Sequence, residues 1–207
     1  MQRSDLLAQV AGVDRGRGVA AAARDAARGA ASRRVARDGR RRRRRLARAG
    51  PQRGDHTGPS PVDRGRTGSK HHVIVDRHGT PLAVSLTGGN RHDVTQLMPL
   101  VEAIPRIRGR RGRPRNRPRR LFADRGYDYD KYRNLLREKG ITPMIARRGA
   151  AHGSGLGKVR WVVERTFAWL HQFKRLRTRS EVRADLHQGL LELACSIICL
   201  RRLRRSF

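Results

Sequence analysis

Two acidic residues sit where chemistry could be done in a chain of 207 residues that carries 49 Lys and Arg against 17 Asp and Glu. Asp124 closes the run Leu121-Phe122-Ala123-Asp124, a short apolar strand that stops before Gly126. A carboxylate at the carboxyl end of a strand in an open α/β sheet lies where such folds place their sites. The plainer alternative is an Asp that caps a turn. Glu164 lies within Arg160-Trp161-Val162-Val163-Glu164-Arg165-Thr166-Phe167. At helical spacing Arg160, Glu164 and His171 share one face, and Val162, Thr166, Trp169, Leu170 and Phe173 line the other. Glu164 is therefore off the apolar stripe. Its alternative reading is an i,i+4 pair with Arg160 on a solvated helix.

The balance of charge names the partner. A formal charge of +32, most of it arginine because only five lysines occur, calls for a polyanion. Nucleic acid is the default, since each neutralised phosphate releases counterions. Arg111-Gly112-Arg113-Pro114-Arg115 has the look of a short arginine wedge for a narrow minor groove, with plain phosphate contact or a disordered loop as the alternatives. Two cysteines exclude a disulfide scaffold, and Cys195 and Cys199, four apart among aliphatic residues, read as core. The start MQRSDLLAQVAGVDRG lacks the apolar core of a signal peptide, and Leu193–Leu200 is too short for a membrane span. A cytoplasmic, nucleoid-associated protein without a membrane partner is expected.

The elements that must position Asp124 and Glu164 are confined to the second part of the chain. Residues 11–50 are almost entirely Ala, Arg and Gly, with six consecutive arginines at Arg40–Arg45. Such a segment builds no core. It reads either as a disordered basic arm gripping the DNA backbone or as a GC-rich gene translated out of frame. From about Gly68 the pattern is α/β. Strands are expected at His72–Asp76 and Pro81–Thr87, joined by the turn Asp76-Arg77-His78-Gly79. A helix over Val94–Ile104, capped by Asp93, precedes a Pro/Gly/Arg loop at Pro105–Arg120 and a strand at Arg120–Asp124. A helix Lys131–Lys139, capped by Asp130 and closed by Gly140, leads to a strand at Ile141–Ala146. Two helices, Lys158–Thr178 and Ala184–Arg204, finish a mixed sheet covered by helices.

Several blocks in order carry a resemblance. Gly68–Val94 (GSKHHVIVDRHGTPLAVSLTGGNRHDV), Ala123–Asp128 (ADRGYD), Arg160–Leu170 (RWVVERTFAWL) and Ala194–Leu203 (ACSIICLRRL) resemble the DDE transposases of bacterial insertion sequences. The resemblance spans roughly residues 55–203 and implies a ribonuclease-H-like fold in which Asp, Asp and Glu hold two divalent metals, Mg²⁺ or Mn²⁺. On that pattern Asp124 stands at the second Asp, Glu164 at the Glu, and Arg160 at the Arg of the Tyr-x2-Arg-x3-Glu-x6-Lys signature. Gly157 replaces the Tyr of that signature and His171 its Lys, with Lys174 one turn on. Arg160, Lys174, Arg111 and Arg113 become the expected DNA contacts, and terminal inverted repeats, target DNA and further copies of the chain the expected partners.

The first Asp is the departure. The family pattern sets it on a strand about ten residues before the Gly54–Gly58 segment, which here is Arg40–Leu46, and the nearest acids, Asp38 and Asp55, follow no apolar run. The frameshifted reading of the N-terminal part is favoured for this reason. Residues 1–54 are then a disordered low-complexity segment, and residues 55–207 a ribonuclease-H-like domain without its first strand and first ligand. A basic nucleic-acid-binding protein without catalysis is the alternative.

Overall fold

The computed structural model describes residues 7–14, 54–61, 67–108, 113–149 and 157–204. Its centre is β3 (Thr67–Val75), a strand buried on both faces over Ser69–Val75. The turn after it forms as the sequence predicts. Asp76 Oδ1 accepts from the backbone N–H groups of His78 and Thr80 at 2.8 and 2.7 Å, and Gly79 supplies the left-handed residue at φ +80. The chain returns as β4 (Pro81–Gly88), antiparallel to β3. β5 (Arg120–Ala123) and β6 (Thr142–Ile145) pair in parallel at the far side of the sheet.

One expectation fails here. The domain reading had residues 1–54 outside the fold and its first strand missing, yet β1 (Leu7–Asp14) lies between β3 and β5. It runs antiparallel to β3 and parallel to β5. The slot needs backbone donors and acceptors on both edges, and Leu6–Val13 is the longest uncharged run of the first 54 residues. The order is β4-β3-β1-β5-β6, with the two-residue β2 (Gly58–Pro59) against the start of β3. Residues 15–53, including the arginine run, lie outside the described residues.

Helices cover both faces. On one, α1 (Leu97–Glu102) and α2 (Asp130–Glu138) bury Leu97, Leu100, Val101 and Leu136 against Ile74, Leu121 and Ala123. On the other, α3 (Gly157–Leu170), the short α4 (Lys174–Arg177) and α5 (Ala184–Arg204) close over Val73 and Val75. The long helix expected through Thr178 is broken after Leu170. The expected cap Asp93 is not the cap either: His92 Nδ1 accepts from Val94 N–H, and Asp93 takes the ammonium of Lys70 at 3.1 Å. A buried cation 23 residues away outbid the local turn. Likewise Asp130 opens α2 as its first residue and pairs with Arg147 at 2.6 Å, while Tyr129 holds the cap position without a side-chain bond.

β3 also buries three titratable side chains, and each has a partner. Lys70 reaches Asp93 and the carbonyl of Arg91. Nε2 of His71 lies 2.9 Å from Nε2 of His187 on α5, whose Nδ1 lies 2.9 Å from Glu181 Oε2. Glu181 Oε1 accepts from Arg175 and Ser180. His72 points the other way, with Nε2 2.7 Å from Thr87 Oγ1. The two histidines therefore share no ligand, as their alternation along the strand implies.

These groups make the fold sensitive to acid. Burial pulls His72 down to about 4, with Lys70 assisting and Asp93 opposing. Burial would raise Glu181, but the bonds from His187, its own backbone, Arg175 and Ser180 outweigh it and hold the group at about 2. Both folded-state pKa values lie below the unfolded ones, so both contributions are complete at neutral pH and disappear on acidification. The His72 contribution, on the order of 3 kcal/mol by the shift, is expected to disappear as pH falls from 6.5 toward 4, and that of Glu181 from 4.5 toward 2. Denaturant midpoints measured across this range test it: His72→Gln should flatten the upper limb, and a flat wild-type profile between pH 6.5 and 4 would refute the assignment.

Candidate functional site

The carboxyl ends of β1, β4, β5 and β6 open onto one edge of the sheet, because β3 alone runs against them. Asp124 follows β5 directly at this edge. It is exposed, and its Oδ1 accepts from the backbone N–H of Arg125 at 2.6 Å, so it caps the single 3-10 turn Arg125–Tyr127 while facing solvent. Both readings of Asp124, turn cap and strand-end carboxylate, describe the same residue.

The loop beyond it is locked by an ion cluster that the sequence did not reveal. Asp128, whose side chain is buried, accepts from Arg133 at 2.7 Å and from the backbone N–H of Arg148 at 2.7 Å. Burial would raise its pKa; the Arg148 N–H and the Arg133 guanidinium outweigh that and keep it below the ordinary range. Arg133 also donates to the Ile145 carbonyl at the end of β6. Arg148 lies over the Tyr129 ring, 4.4 Å from its centroid, and the Tyr129 hydroxyl lies 3.0 Å from His92 Nε2. The loops after β4, β5 and β6 are thus one connected surface. Tyr127 is buried in the core and Tyr132 packs edge-on against Tyr129, which favours the packing reading of these tyrosines over base stacking.

Glu164 reaches the same face by another route. It is exposed on α3, and α3 packs against β1, β3 and β5. Its neighbours in sequence fix the helix: Arg165 donates to the His78 carbonyl at 2.6 Å, and Thr166 Oγ1 to the Gly79 carbonyl at 2.8 Å. The tip of the β3–β4 hairpin therefore holds the helix that carries Glu164. Arg165 also stacks on Trp161 and Trp169, at 4.3 and 5.0 Å from the ring centroids.

The register of β1 identifies the third position. Val10 is paired with Ala123, so one further step sets Ala11 beside Asp124. Ala11 is also opposite Val73, whose side chain lies on the α3 side of the sheet. A residue at position 11 thus shares an edge and a face with Asp124, below the helix of Glu164. Asp14, three residues on, stands opposite Lys70 and has the other parity. Among the described residues no group of three or more His, Cys, Asp and Glu could hold a metal ion.

Comparison with known proteins decides the family. The family model for the transposase DDE domain matches residues 45–199. The chain belongs to the DDE transposase domain family. It is 61% identical over 150 residues to a putative transposase for insertion sequence element IS402 of Burkholderia cepacia, covering 72% of this chain and 71% of that protein. It is 27% identical over 117 residues to the transposase for insertion sequence element IS1106 of Neisseria meningitidis serogroup B, covering 52% of this chain and 37% of the relative. A structure of the simian T-cell lymphotropic virus intasome in complex with PP2A regulatory subunit B56 gamma superposes with a TM-score of 0.43 at 16% identity, over 70% of this chain and 49% of that one. The matched span of the transposase domain begins at residue 45, so β1 lies outside it.

The expected DNA contacts are scattered. Lys174 is exposed at the start of α4, soon after the end of α3. Arg113 is exposed in the segment leading into the amino end of β5, the end opposite Asp124. Arg160 belongs to α3, with its side chain outside the described residues, as is Arg111 altogether. No helix among the described residues is long and apolar enough to cross a membrane.

The hairpin tip is the point at which the transposase domain's α3 is most exposed to mutation. A Cβ on Gly79 would meet Thr166 Oγ1 at 2.9 Å, on a residue already at φ +80. Gly79→Ala is expected to cost on the order of 1–2 kcal/mol from backbone conformation alone. Thr166→Val, which leaves the Gly79 carbonyl short of a partner, should cost about 1 kcal/mol. Urea midpoints measure both, and a neutral Gly79→Ala would show that the tip is not held against α3.

Proposed function

We propose that this chain is an insertion-sequence DNA transposase domain of ribonuclease-H-like arrangement which binds DNA but, as it stands, lacks a complete carboxylate set for strand cleavage. Three antiparallel strands followed by two parallel ones, with helices on both faces, support the arrangement. Asp124 and Glu164 are the inferred catalytic and metal-binding pair. Carboxylate oxygens suit Mg²⁺ or Mn²⁺, and a two-metal site stabilises the attacking and leaving oxygens of an in-line displacement.

The observation that carries the reading is Ala11 beside Asp124. A methyl group offers no oxygen ligand, so the residues present do not fit a two-metal centre. DNA binding needs no such centre. The charge of +32 serves it, with Arg160, Lys174, Arg111 and Arg113 as the inferred phosphate contacts. Phosphate contacts of this kind give a steep loss of affinity with salt and little sequence preference. The inverted repeats of its own element, target DNA and further copies of the chain are the inferred partners, in the nucleoid of the cytoplasm.

Ala11→Asp tests this, with terbium as the probe ion and Trp161, half exposed three residues before Glu164, as the sensitiser. The wild type is expected to give no sensitised emission that Mg²⁺ displaces, and no Mn²⁺-dependent nicking of DNA ending in the element's repeats. Ala11→Asp should gain the emission, and adding Asp124→Ala should remove it. Nicking by the wild type that Asp124→Ala abolishes would overturn the proposal.

A further inference from the structure

α5 is apolar on two opposed faces. His187, Leu191, Ala194, Cys195 and Ile198 are buried on its inner side. On its outer side Leu186, Leu193 and Leu200 recur every seventh residue, and 53%, 57% and 51% of their surfaces are exposed. A helix apolar all round belongs inside a larger assembly, and a seven-residue repeat is the spacing at which one helix packs along another. Gly189 supplies a second observation. It sits inside the helix beside this stripe, and a Cβ there would meet nothing within 4 Å among the described residues. A glycine in that setting costs about 1 kcal/mol relative to alanine, and close approach of a second helix is what such a residue permits.

Charge selects the occupant and its direction. α5 carries Asp185 and Glu192 in its first half and Arg201, Arg202 and Arg204 in its last turn. A parallel pair would bring both arginine-rich ends together. The three leucines are symmetric about Leu193, so an antiparallel copy of the same helix sets Leu193 on Leu193 and Leu186 on Leu200. Asp185 then comes level with Arg201 of the second copy, and the helix dipoles oppose. Such a contact is self-complementary and closes as a two-fold dimer. We propose that the outer face of α5, along Leu186, Leu193 and Leu200, packs antiparallel on the same face of a second copy of this chain. The inference is independent of the carboxylate set, since a chain that cleaves no DNA still dimerises.

Sedimentation velocity on the full chain tests it, with and without duplex DNA and in enough salt to screen its charge. A dimer is expected, and Leu193→Arg should weaken association by about tenfold or more while leaving the far-ultraviolet circular dichroism and the denaturation midpoint unchanged. On mild oxidation Leu193→Cys should link to itself, whereas Leu186→Cys and Leu200→Cys should link only when mixed; the wild type, with Cys195 buried and Cys199 half-buried, is the control. A wild type monomeric under all conditions overturns the proposal. So does a monomeric chain that Leu193→Arg destabilises, because another segment of the same chain would then cover the face. Self-linking of Leu186→Cys overturns the antiparallel arrangement.

Discussion

β3 is buried on both faces and paired on both edges, so every polar group on it must find its partner inside the protein. That demand organises the rest. The backbone of β3 takes β4 on one side and β1 on the other. Lys70 takes Asp93, His72 takes Thr87, and His71 takes His187, which is itself held by Glu181 and, through it, by Arg175. An unpaired group at any of these positions would cost more than an ordinary hydrogen bond contributes. In so cationic a chain the few acids are concentrated where they are buried or paired, and Asp93, Asp128 and Glu181 each fasten a different part of the fold.

The same logic holds the Gly54–Gly58 segment. Arg179 donates to the carbonyls of Asp55, His56, Glu181 and Val182 and to Ser69 Oγ. The segment lies so close to the chain after α4 that a Cβ on Gly54 would overlap the Val182 carbonyl at 2.2 Å. One guanidinium, with its five donors in a rigid fork, thus joins the segment before β3 to the connection between α4 and α5.

What could be read from the sequence follows the range of the interactions. The turn Asp76–Gly79 and the last helix were legible because their signals are local: a turn aspartate with a left-handed glycine, and apolar residues at helical spacing. Strand ends at Arg120 and Thr142 were legible for the same reason. Asp93 was misassigned because the residue that decides its role is Lys70, distant in the chain. Asp128 stood inside the quoted ADRGYD block, yet its partner Arg133 and the Arg148 amide are joined to it only by the fold. β1 was missed because Leu7–Asp14 has little pattern of its own; the vacant edges of β3 and β5 define it. Of the candidate site, Asp124 and Glu164 were visible as residues, and the position beside Asp124 became visible only through strand register.

The attachment of α3 to the hairpin tip has a geometric meaning. Asp124 belongs to β5, whereas Glu164 takes its position from the turn between β3 and β4. The two carboxylates are therefore measured from different rulers, and the strand between those rulers is β1. Whatever occupies that slot contributes its own side chain at position 11 and also fixes, through its width and twist, the gap that any ion or phosphate shared by the two acids would have to span.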